Sequence, residues 1–305
     1  MSRRRVLVTG ANGFIGASVK RAFEHAGAQV TGVDVRRAEG VLDVDLVDSS
    51  QVLRLFDDGG FDVIAHLAAS AVGASGLMAS ARTDPVKAVE VNVTGTVRLL
   101  EHAKENGAAR FIYASSTTVY GPARLYGVDR ITEDAALLPG SVYGATKASA
   151  EQLGRCLASE SDIDFVALRL PLVYGPQRWY GGTLLPLREI LSAIRDRKRA
   201  PVSVGTAVGD WLYVDDAAQA FVAASEARRP ASAYHLVGHT GSMLDLARQL
   251  LDLSPDNQIA LESDTRDGDQ APPLIDDTLA RRDLGFKPIR SDVYSAAESL
   301  LRTRQ

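Results

Sequence analysis

Tyr143 and Lys147 form a pair whose residue types and spacing suit acid–base chemistry. They lie four residues apart in a stretch predicted to be helical, so they share one face, about one turn apart. A tyrosine with an ordinary pKa of about 10 is a poor base near neutrality, but a neighbouring ammonium stabilises its phenolate. Tyr143 could then take a proton from an alcohol. The same spacing also occurs on ordinary helix faces, so the pair needs support from other positions.

Two serines follow the apolar run Arg110–Ala114, which is predicted to be a strand. Open α/β sheets bind ligands at the carboxyl ends of their strands, where Ser115 and Ser116 would lie. A serine hydroxyl there could hydrogen-bond a substrate oxygen and hold it beside the tyrosine. The alternative is a Ser/Thr turn that merely closes the strand.

A glycine-rich turn joins the first predicted strand, Val6–Thr9, to a helix. Glycines at this spacing allow a tight turn, let the backbone approach a pyrophosphate, and let the helix pack closely on the strand. The turn therefore predicts a dinucleotide site. Its cofactor-binding residues are predicted to be Gly10, Asn12, Gly13, Phe14, Ile15 and Gly16.

Asp34 ends the second predicted strand, 18 residues after Gly16. A carboxylate at this point can accept hydrogen bonds from both hydroxyls of an adenosine ribose, which favours NAD over NADP. Arg36 and Arg37 follow and could hold a 2′-phosphate, although Asp34 would repel it. NAD would complete the chemistry of Tyr143, because a nicotinamide takes the hydride that leaves the alcohol carbon.

Short β-branched runs alternate with longer amphipathic stretches, the pattern of parallel strands joined by crossover helices. The predicted strands are Val6–Val8, Gln29–Val33, Val63–His66, Arg110–Ala114 and Phe165–Leu170, and the predicted helices include Gly16–Ala26, Val86–Asn106 and Tyr143–Glu160. We therefore predict an α/β fold with a doubly wound parallel sheet of the Rossmann type.

The alternation of predicted strands and helices ends after Gly175, where glycines and prolines interrupt it. We predict an NAD-binding domain over residues 1–174, completed by about 211–238, and a smaller, mostly helical substrate-binding lobe over 175–210 and 239–305. Within this scheme Leu184–Arg199 is a separate basic helix, Trp211–Tyr213 returns to the main sheet, and Ser254–Pro273 is a polar loop.

Composition excludes several other classes of protein. The 305 residues are 46% apolar, enough for a sizeable core, and the net charge of −4 provides no basic field for nucleic acid. The single cysteine, Cys156, cannot form an internal disulfide, and the five histidines lack metal-ligand spacing. We see no signal peptide and no membrane span, and expect a cytoplasmic protein without a metal.

Taken together and in this order, these elements resemble the extended short-chain dehydrogenase/reductase family, and within it the branch of sugar-nucleotide epimerases and dehydratases. The resemblance covers nearly the whole chain. Besides the glycine turn, it rests on Asp45-Leu46, His66-Leu67-Ala68-Ala69, Asn92 with Gly95-Thr96, Ser115-Ser116 before Val119-Tyr120-Gly121, Tyr143 with Lys147, Val173-Tyr174-Gly175-Pro176, Tyr213-Val214-Asp215-Asp216, Arg266-Asp267-Gly268-Asp269 and Asp283-Leu284-Gly285-Phe286.

The resemblance implies roles for individual residues. Ser116 is the implied catalytic serine, Tyr143 the acid/base, and Lys147 its electrostatic partner and ribose ligand. Thr117 and Tyr143 accompany Ser116 among the predicted substrate-binding residues, and Tyr143 is also predicted to contact NAD, as Lys147 is. The other predicted NAD contacts are Arg36, Asp45, Leu46, Leu67, Ala68, Ala69, Asn92, Ala114, Pro171 and Val173. A homodimer is also implied, because alanine-rich helix faces, such as that of Ala145, Ala148 and Ala150, often form the dimer interface in this family.

The residues after Ser116 narrow the reaction. Dehydratases and nucleotide-sugar decarboxylases of this family carry an acidic residue there, whereas this chain has Thr117-Thr118. Dehydration by proton abstraction beside a ketone needs such a base, so both activities are disfavoured. Hydride chemistry remains. An epimerase returns the hydride after the ketone turns, whereas a dehydrogenase releases the oxidised product.

Two departures from the family pattern concern the substrate. Leu172 replaces a common asparagine that contacts the nucleotide sugar, and Gly209 replaces a common arginine that contacts the diphosphate. Arg266 keeps the family's second phosphate-binding arginine, and Arg178 and Arg188 could compensate for the first. A site that keeps only one of the two phosphate-binding arginines suits a repositioned sugar nucleotide or a smaller acid such as a sugar acid.

These observations favour an NAD-dependent epimerase of a sugar nucleotide. The first alternative is an NAD-dependent dehydrogenase or ketoreductase of a sugar, sugar acid or related polyol, favoured by Leu172 and Gly209. The second is a non-catalytic NAD-sensing protein, against which the intact serine, tyrosine and lysine set argues.

Overall fold

The structure is a computed structural model that describes residues 3–71, 75–176, 182–255, 257–265 and 271–302. Its strands are β1 Arg5–Thr9, β2 Gln29–Asp34, β3 Leu42–Asp43, β4 Val63–His66, β5 Arg110–Ser116, β6 Arg130–Ile131, β7 Asp164–Leu170, β8 Leu172–Tyr174, β9 Arg199–Gly205, β10 Val208–Tyr213, β11 Ala233–His235, β12 His239–Ser242, β13 Gln258–Asp264 and β14 Leu274–Ile275. Its α-helices are α1 Phe14–His25, α2 Ser49–Arg54, α3 Leu77–Thr83, α4 Pro85–Val89, α5 Gly95–Glu105, α6 Val142–Ser159, α7 Leu185–Asp196, α8 Val214–Glu226, α9 Met243–Asp252, α10 Thr278–Asp283 and α11 Val293–Arg302.

A seven-stranded sheet forms the centre of the molecule, in the order β11, β7, β5, β4, β1, β2, β3. Each neighbouring pair is parallel. The strands of its centre read as continuous apolar runs because they are covered on both faces, and every residue of β4 is buried. The predicted α/β class and all five predicted strands are confirmed.

Helices cover both faces of this sheet. On one face, α1 and α8 contribute side chains such as Val19 and Phe221 to the larger hydrophobic cluster. On the other face, α5 and α6 contribute Leu99, Leu100 and Ala150 to a second cluster. The predicted helices Gly16–Ala26 and Tyr143–Glu160 correspond to α1 and α6, and Val86–Asn106 is divided among α4, a π-helical turn at Glu90–Thr94, and α5.

Two expectations about the second half of the chain are wrong. Trp211–Tyr213 does not return to the main sheet: β10 pairs with β8 and β12 in a three-stranded sheet, and β11 makes the return. The predicted loop Ser254–Pro273 contains β13, which pairs in parallel with β9. The sequence of β13, QIALESD, contains exposed polar residues at Gln258, Glu262 and Ser263, whereas Ile259 and Leu261 are partly buried.

The smaller region is mixed rather than mostly helical. Besides α7, α9 and α11, it contains the paired strands β9 and β13, and β14 pairs with β6. The basic helix predicted over Leu184–Arg199 is α7. In the described part of the chain, none of the helices has the length and apolar content needed to span a bilayer.

Candidate active site

The glycine turn forms a backbone cradle at the carboxyl end of β1. Gly10 has a φ of +67°, which disfavours other residues, and a Cβ added there would lie 2.8 Å from the backbone nitrogen of Ala68. The nitrogen of Gly13 donates to the carbonyl of Gly10 at 2.8 Å, which closes the turn before α1. The turn leads directly into α1, whose N-cap residue Gly13 makes no side-chain cap hydrogen bond, and a helix N-terminus of this kind suits a dinucleotide pyrophosphate.

Asp34 lies beside this cradle, at the end of β2. One carboxylate oxygen accepts the backbone N–H of Asn12 at 3.1 Å, and the other accepts that of Arg36 at 2.9 Å. The guanidinium of Arg36 folds back and donates to the carbonyl of Asn12 at 2.9 Å. These bonds fix the carboxylate at the edge of the glycine turn, where it can accept the hydroxyls of a ribose.

Lys147 is buried beneath the end of β5. Its side chain is 2% exposed, and Nζ donates to the carbonyl of Ala114 at 2.8 Å. The ammonium lies 4.6 Å from the centre of the Tyr113 ring and 5.7 Å from that of Tyr143. Burial lowers the pKa of Lys147 to about 7. The predicted pair is therefore on one helix face, as the four-residue spacing requires, and directly adjoins the strand that carries the serines.

Gly144 brings the start of α6 onto the serine turn. A Cβ at this position would lie 2.1 Å from the carbonyl oxygen of Thr118, so only glycine permits the approach. The helix is capped by Ser141, whose hydroxyl accepts the N–H of Gly144 at 3.1 Å. Tyr143, which is 8% exposed, is thereby held in the first turn of α6, against the turn that follows Ser116.

The hydroxyl of Ser116 is oriented by its own turn. Its Oγ accepts the N–H of Thr118 at 3.2 Å and the hydroxyl of Thr118 at 3.0 Å. With two donors on the oxygen, the Ser116 hydrogen is left to donate to another group. The residues that follow, Thr117–Val119, form a 3₁₀ turn.

Comparisons with known proteins identify the family of the chain. The profile of the NAD dependent epimerase/dehydratase family matches residues 6–237, more than half of the chain. The chain belongs to this family. It is 31% identical over 302 residues to the dTDP-glucose 4,6-dehydratase of Streptomyces griseus, an alignment that covers 93% of this chain and 89% of that protein.

Solved structures show the same fold. The L-threonine dehydrogenase of Phytophthora infestans superposes with a TM-score of 0.86 at 24% identity, covering 98% of each chain. The UDP-glucose 4-epimerase of Thermus thermophilus, in complex with NAD, superposes with a TM-score of 0.79 at 23% identity, covering 97% of this chain and 99% of that one. The protein is thus an NAD-dependent enzyme of the epimerase/dehydratase family.

In this epimerase/dehydratase family member, buried hydrogen bonds connect several of the residues that the sequence predicts to contact NAD. Asn92, within the π-helical turn, accepts the N–H of Ser70 at 2.8 Å and donates to the hydroxyl of Thr146 at 2.9 Å. It therefore links the segment after β4 to the helix of Tyr143 and Lys147. The nitrogens of Leu67 and Ala68 donate to the hydroxyl of Thr9 at 3.2 and 3.1 Å.

His66 has a structural environment. Thr9 donates to its Nδ1 at 2.6 Å, and its Nε2 donates to Thr96 at 2.8 Å. Burial and then the charge of Lys147 lower the pKa of His66 to about 3, so the ring is neutral near pH 7. Among the described residues no group of acidic, histidine or cysteine side chains has the arrangement of a metal site.

The other predicted residues fall at three places. Asp45 accepts the N–H of Val47 at 2.9 Å, and the carbonyl of buried Leu46 accepts Arg98 at 2.7 Å, in the segment after β3. Those at the sheet's carboxyl edge are Ala69 after β4, Ala114 on β5, Thr117 after β5, and Pro171, Leu172 and Val173 at the β7–β8 junction. Arg178 and Arg266 lie outside the described residues.

Sequence reasoning missed several groups that adjoin the predicted triad. Tyr113 lies against the Lys147 ammonium, and its buried hydroxyl has no hydrogen-bond partner among the described residues. Glu151 and Arg169 form a buried ion pair behind Ser115. Two features of the sequence could have indicated this ion pair. Glu151 follows Lys147 by four residues on one helix face, and Arg169 is the lone arginine within the apolar run of β7.

The carboxylate of Asp34 provides a direct test of the cofactor end. We expect Asp34→Ala to weaken NAD binding about ten- to a hundredfold, because charge-assisted hydrogen bonds to a ribose are worth roughly 1.5–3 kcal/mol. NADP should bind more tightly than before, since the repulsion is removed while Arg36 remains. Titration calorimetry with both cofactors measures the two changes. Equal NAD affinity in the variant and the original protein would contradict this placement of the ribose.

Proposed function

We propose that the protein is an NAD-dependent epimerase of a sugar nucleotide, acting by transient hydride transfer. The observation that carries the proposal is the position of Lys147, whose ammonium is held between the Ala114 carbonyl and the rings of Tyr113 and Tyr143. This arrangement places a buried positive charge beside the tyrosine whose phenolate it would stabilise.

In this proposal the three side chains divide the work on one carbinol group. Ser116 donates its hydrogen to the substrate oxygen and orients it. Tyr143 removes the hydroxyl proton as a phenolate, and Lys147 stabilises that negative charge. NAD, when bound beside these side chains, would supply the hydride acceptor and donor that this chemistry needs at the carbinol carbon. Tyr143 then gives its proton back to the oxygen, so atoms and electrons balance over the cycle.

The turn after Ser116 supports epimerisation over dehydration. Thr117 and Thr118 provide hydroxyls but no carboxylate, and the buried Glu151 is bound to Ser115 and Arg169. Neither threonine can act as the base that removes a proton beside a ketone near neutrality. The similarity to a dTDP-glucose 4,6-dehydratase supports a sugar nucleotide as the substrate class.

One observation favours a second candidate, an NAD-dependent dehydrogenase or ketoreductase of a sugar, sugar acid or polyol. Gly209 lies opposite Gly241 in the β10–β12 pair, and a Cβ at Gly209 would meet no heavy atom of the described residues within 4 Å. The place where the family commonly carries a diphosphate-binding arginine is therefore open. A substrate without a diphosphate would not need that arginine.

Proton NMR of the purified protein with NAD and a panel of UDP-, GDP- and dTDP-sugars and free sugar acids separates the candidates. The absorbance of NADH is recorded in parallel. An epimer without net NADH supports the epimerase, whereas an oxidised product with matching NADH supports the dehydrogenase. No turnover despite NAD binding would overturn both and favour an NAD-sensing protein.

Restoring the missing arginine tests the diphosphate site. We expect Gly209→Arg to tighten the binding of UDP about tenfold, because one charge-assisted hydrogen bond is gained and the Cβ of the new side chain meets no described atom within 4 Å. Gly205→Arg is the matched control, since a Cβ at Gly205 also meets nothing within 4 Å. Calorimetric titration of the NAD complexes with UDP measures both. Equal UDP affinity in the two variants would argue against a diphosphate site at β10.

The proposal also includes the division of the chain into an NAD-binding domain and a substrate-binding lobe, and a homodimer. Exposed apolar side chains on α4 and α6 support the dimer: Val86 is 67% exposed, Val89 47% and Leu153 42%. Surfaces of this kind on neighbouring helices suit association with a second copy.

A further inference from the structure

A buried ion pair lies directly behind the serine turn and takes no part in the proposed proton transfer. Glu151 follows Lys147 by one turn on α6 and is completely buried, and Arg169 on β7 is 1% exposed. Arg169 Nε donates to the two carboxylate oxygens at 3.1 and 3.2 Å, and its Nη2 donates to one of them. Burying two charges is costly unless nearly every polar atom has a partner, so each further contact of this pair bears on its role.

The pair holds the chain immediately before Ser116. Ser115 donates to the second oxygen of Glu151 at 2.8 Å. Ser115 and Arg169 are direct neighbours in the register of β5 and β7, so both reach the same carboxylate from one face of the sheet. The end of β5 is thereby tied to the helix that carries Tyr143 and Lys147.

The same guanidinium holds the chain immediately after the turn. Arg169 Nη1 donates to the hydroxyl of Tyr120 at 2.6 Å and to the carbonyl of Glu133 at 2.7 Å. Tyr120 directly follows the Thr117–Val119 turn. Its hydroxyl donates to Nε2 of His235 at 2.7 Å.

His235 can accept this bond because its other ring nitrogen is occupied. Nδ1 donates to the carbonyl of Asp276 at 3.0 Å. Burial and then the charge of Arg169 lower the pKa of His235 to about 4, so the ring is neutral near pH 7. The hydroxyl of Tyr120 is thus fixed by a donor on one side and an acceptor on the other.

We propose that Arg169 is a positioning residue for Ser116. Through Glu151 and Ser115 on one side, and through Tyr120 on the other, it clamps both ends of the turn and so fixes the direction of the Ser116 hydroxyl. The inference rests on the proposed role of Ser116 in binding the substrate oxygen. It accounts for two buried charges that the proton transfer itself does not need.

The N–H of Thr118 reports this positioning without a substrate, because it donates to Ser116 Oγ at 3.2 Å. Hydrogen exchange of that amide is measured by NMR in the NAD complex. We expect Ser115→Ala and Tyr120→Phe each to accelerate it about fivefold, the loss expected from one weakened hydrogen bond. Ser116→Ala defines the fully released rate, and Ser115→Thr, which keeps the hydroxyl, should restore protection.

Matched controls separate positioning from general loss of stability. Ser225→Ala and Tyr234→Phe remove buried hydroxyls that bond Val222 and Asp283, away from the turn. They should lower the melting temperature without accelerating exchange at Thr118. Unchanged exchange in Ser115→Ala and Tyr120→Phe, or equal acceleration in the controls, overturns the proposal. If Tyr120→Phe does not fold, Ser115→Ala and Ser115→Thr decide the matter.

Turnover gives a second, independent readout on whichever substrate the NMR panel identifies. Ser115→Ala should lower kcat about fivefold in the original protein and cause no further loss in the Ser116→Ala background, since its effect passes through Ser116. An equal loss in both backgrounds contradicts the proposal. Absence of turnover on the whole panel overturns the proposed function but leaves the exchange experiment decisive for the clamp.

Discussion

Replacing Tyr143 by phenylalanine is expected to reduce turnover by about 10²- to 10⁴-fold, the usual contribution of a positioned acid/base, while NAD affinity is unchanged. The phenylalanine ring retains the packing of Tyr143 against α3 and α4 in their small apolar cluster, so only the hydroxyl is lost. Lys147 keeps its bond to Ala114. The measurement is kcat on the substrate identified by NMR, with the dissociation constant for NAD from calorimetry.

Tyr294→Phe is the control for this experiment. Tyr294 is 52% exposed on α11, so loss of its hydroxyl should leave both quantities as they are. Turnover that persists in Tyr143→Phe at the original rate would refute the acid/base role. If both the original protein and Tyr143→Phe bind NAD fully but show no turnover, the result would instead favour a cofactor-sensing protein.

Replacing Lys147 by methionine is expected to stabilise the NAD-free protein below about pH 7 while reducing turnover at least about a hundredfold. Methionine fills a similar volume and carries no charge into the buried site. The loss of activity follows because the Tyr143 phenolate loses its neighbouring ammonium. Stability and catalysis should therefore change in opposite directions, as expected when a buried charge serves function.

The gain in stability should depend on pH in a defined direction. Burial lowers the pKa of Lys147 from 10.5 to about 7, so between these values the unfolded chain holds one proton more than the folded protein. Stability of the original protein therefore rises with pH across this window. The cost of the charge is fully present below about pH 7 and is gone above the unfolded value, so the advantage of methionine shrinks between them.

Thermal unfolding of both proteins from pH 6 to pH 10 measures this change. Lys287→Met, at an exposed position, is the control and should show a difference from the original protein that does not vary with pH. If the difference for Lys147→Met is also independent of pH, the lysine does not change its protonation state across the window.

The nucleotide end of the molecule could be predicted from sequence because its signals are local. The glycine turn, the carboxylate of Asp34 and the helical spacing of Tyr143 and Lys147 each involve a few neighbouring residues, and the strand patterns of β1, β2, β4, β5 and β7 are strongly apolar. In the structure, the glycine turn follows β1 and Asp34 ends β2. Tyr143 and Lys147 lie beside the end of β5, so all four groups lie near the carboxyl ends of the parallel strands.

Other features depend on contacts that are distant in sequence. The polar sequence of β13 is typical of a loop, and the segment forms a strand because its backbone pairs with β9. Likewise, β10 pairs with β8 and β12 rather than with the main sheet. Tyr113 reads as an ordinary core residue until the fold brings Lys147 over its ring. Arg169 likewise reads as an interruption of an apolar strand until Glu151 and Tyr120 are seen to surround it.

The path from Ser115 through Arg169 to His235 and Asp276 has a consequence for the order in which the enzyme matures. The glycine turn, Asp34, Tyr143 and Lys147 all lie in the amino-terminal half of the chain, which leaves the ribosome first. The hydrogen bond of Tyr120 to His235 can form only after His235, 115 residues later, has been synthesised, and the bond of His235 to Asp276 forms later still. If the proposed clamp fixes the serine turn, a nascent chain can thus complete the glycine turn well before the contacts of His235 and Asp276 complete that clamp.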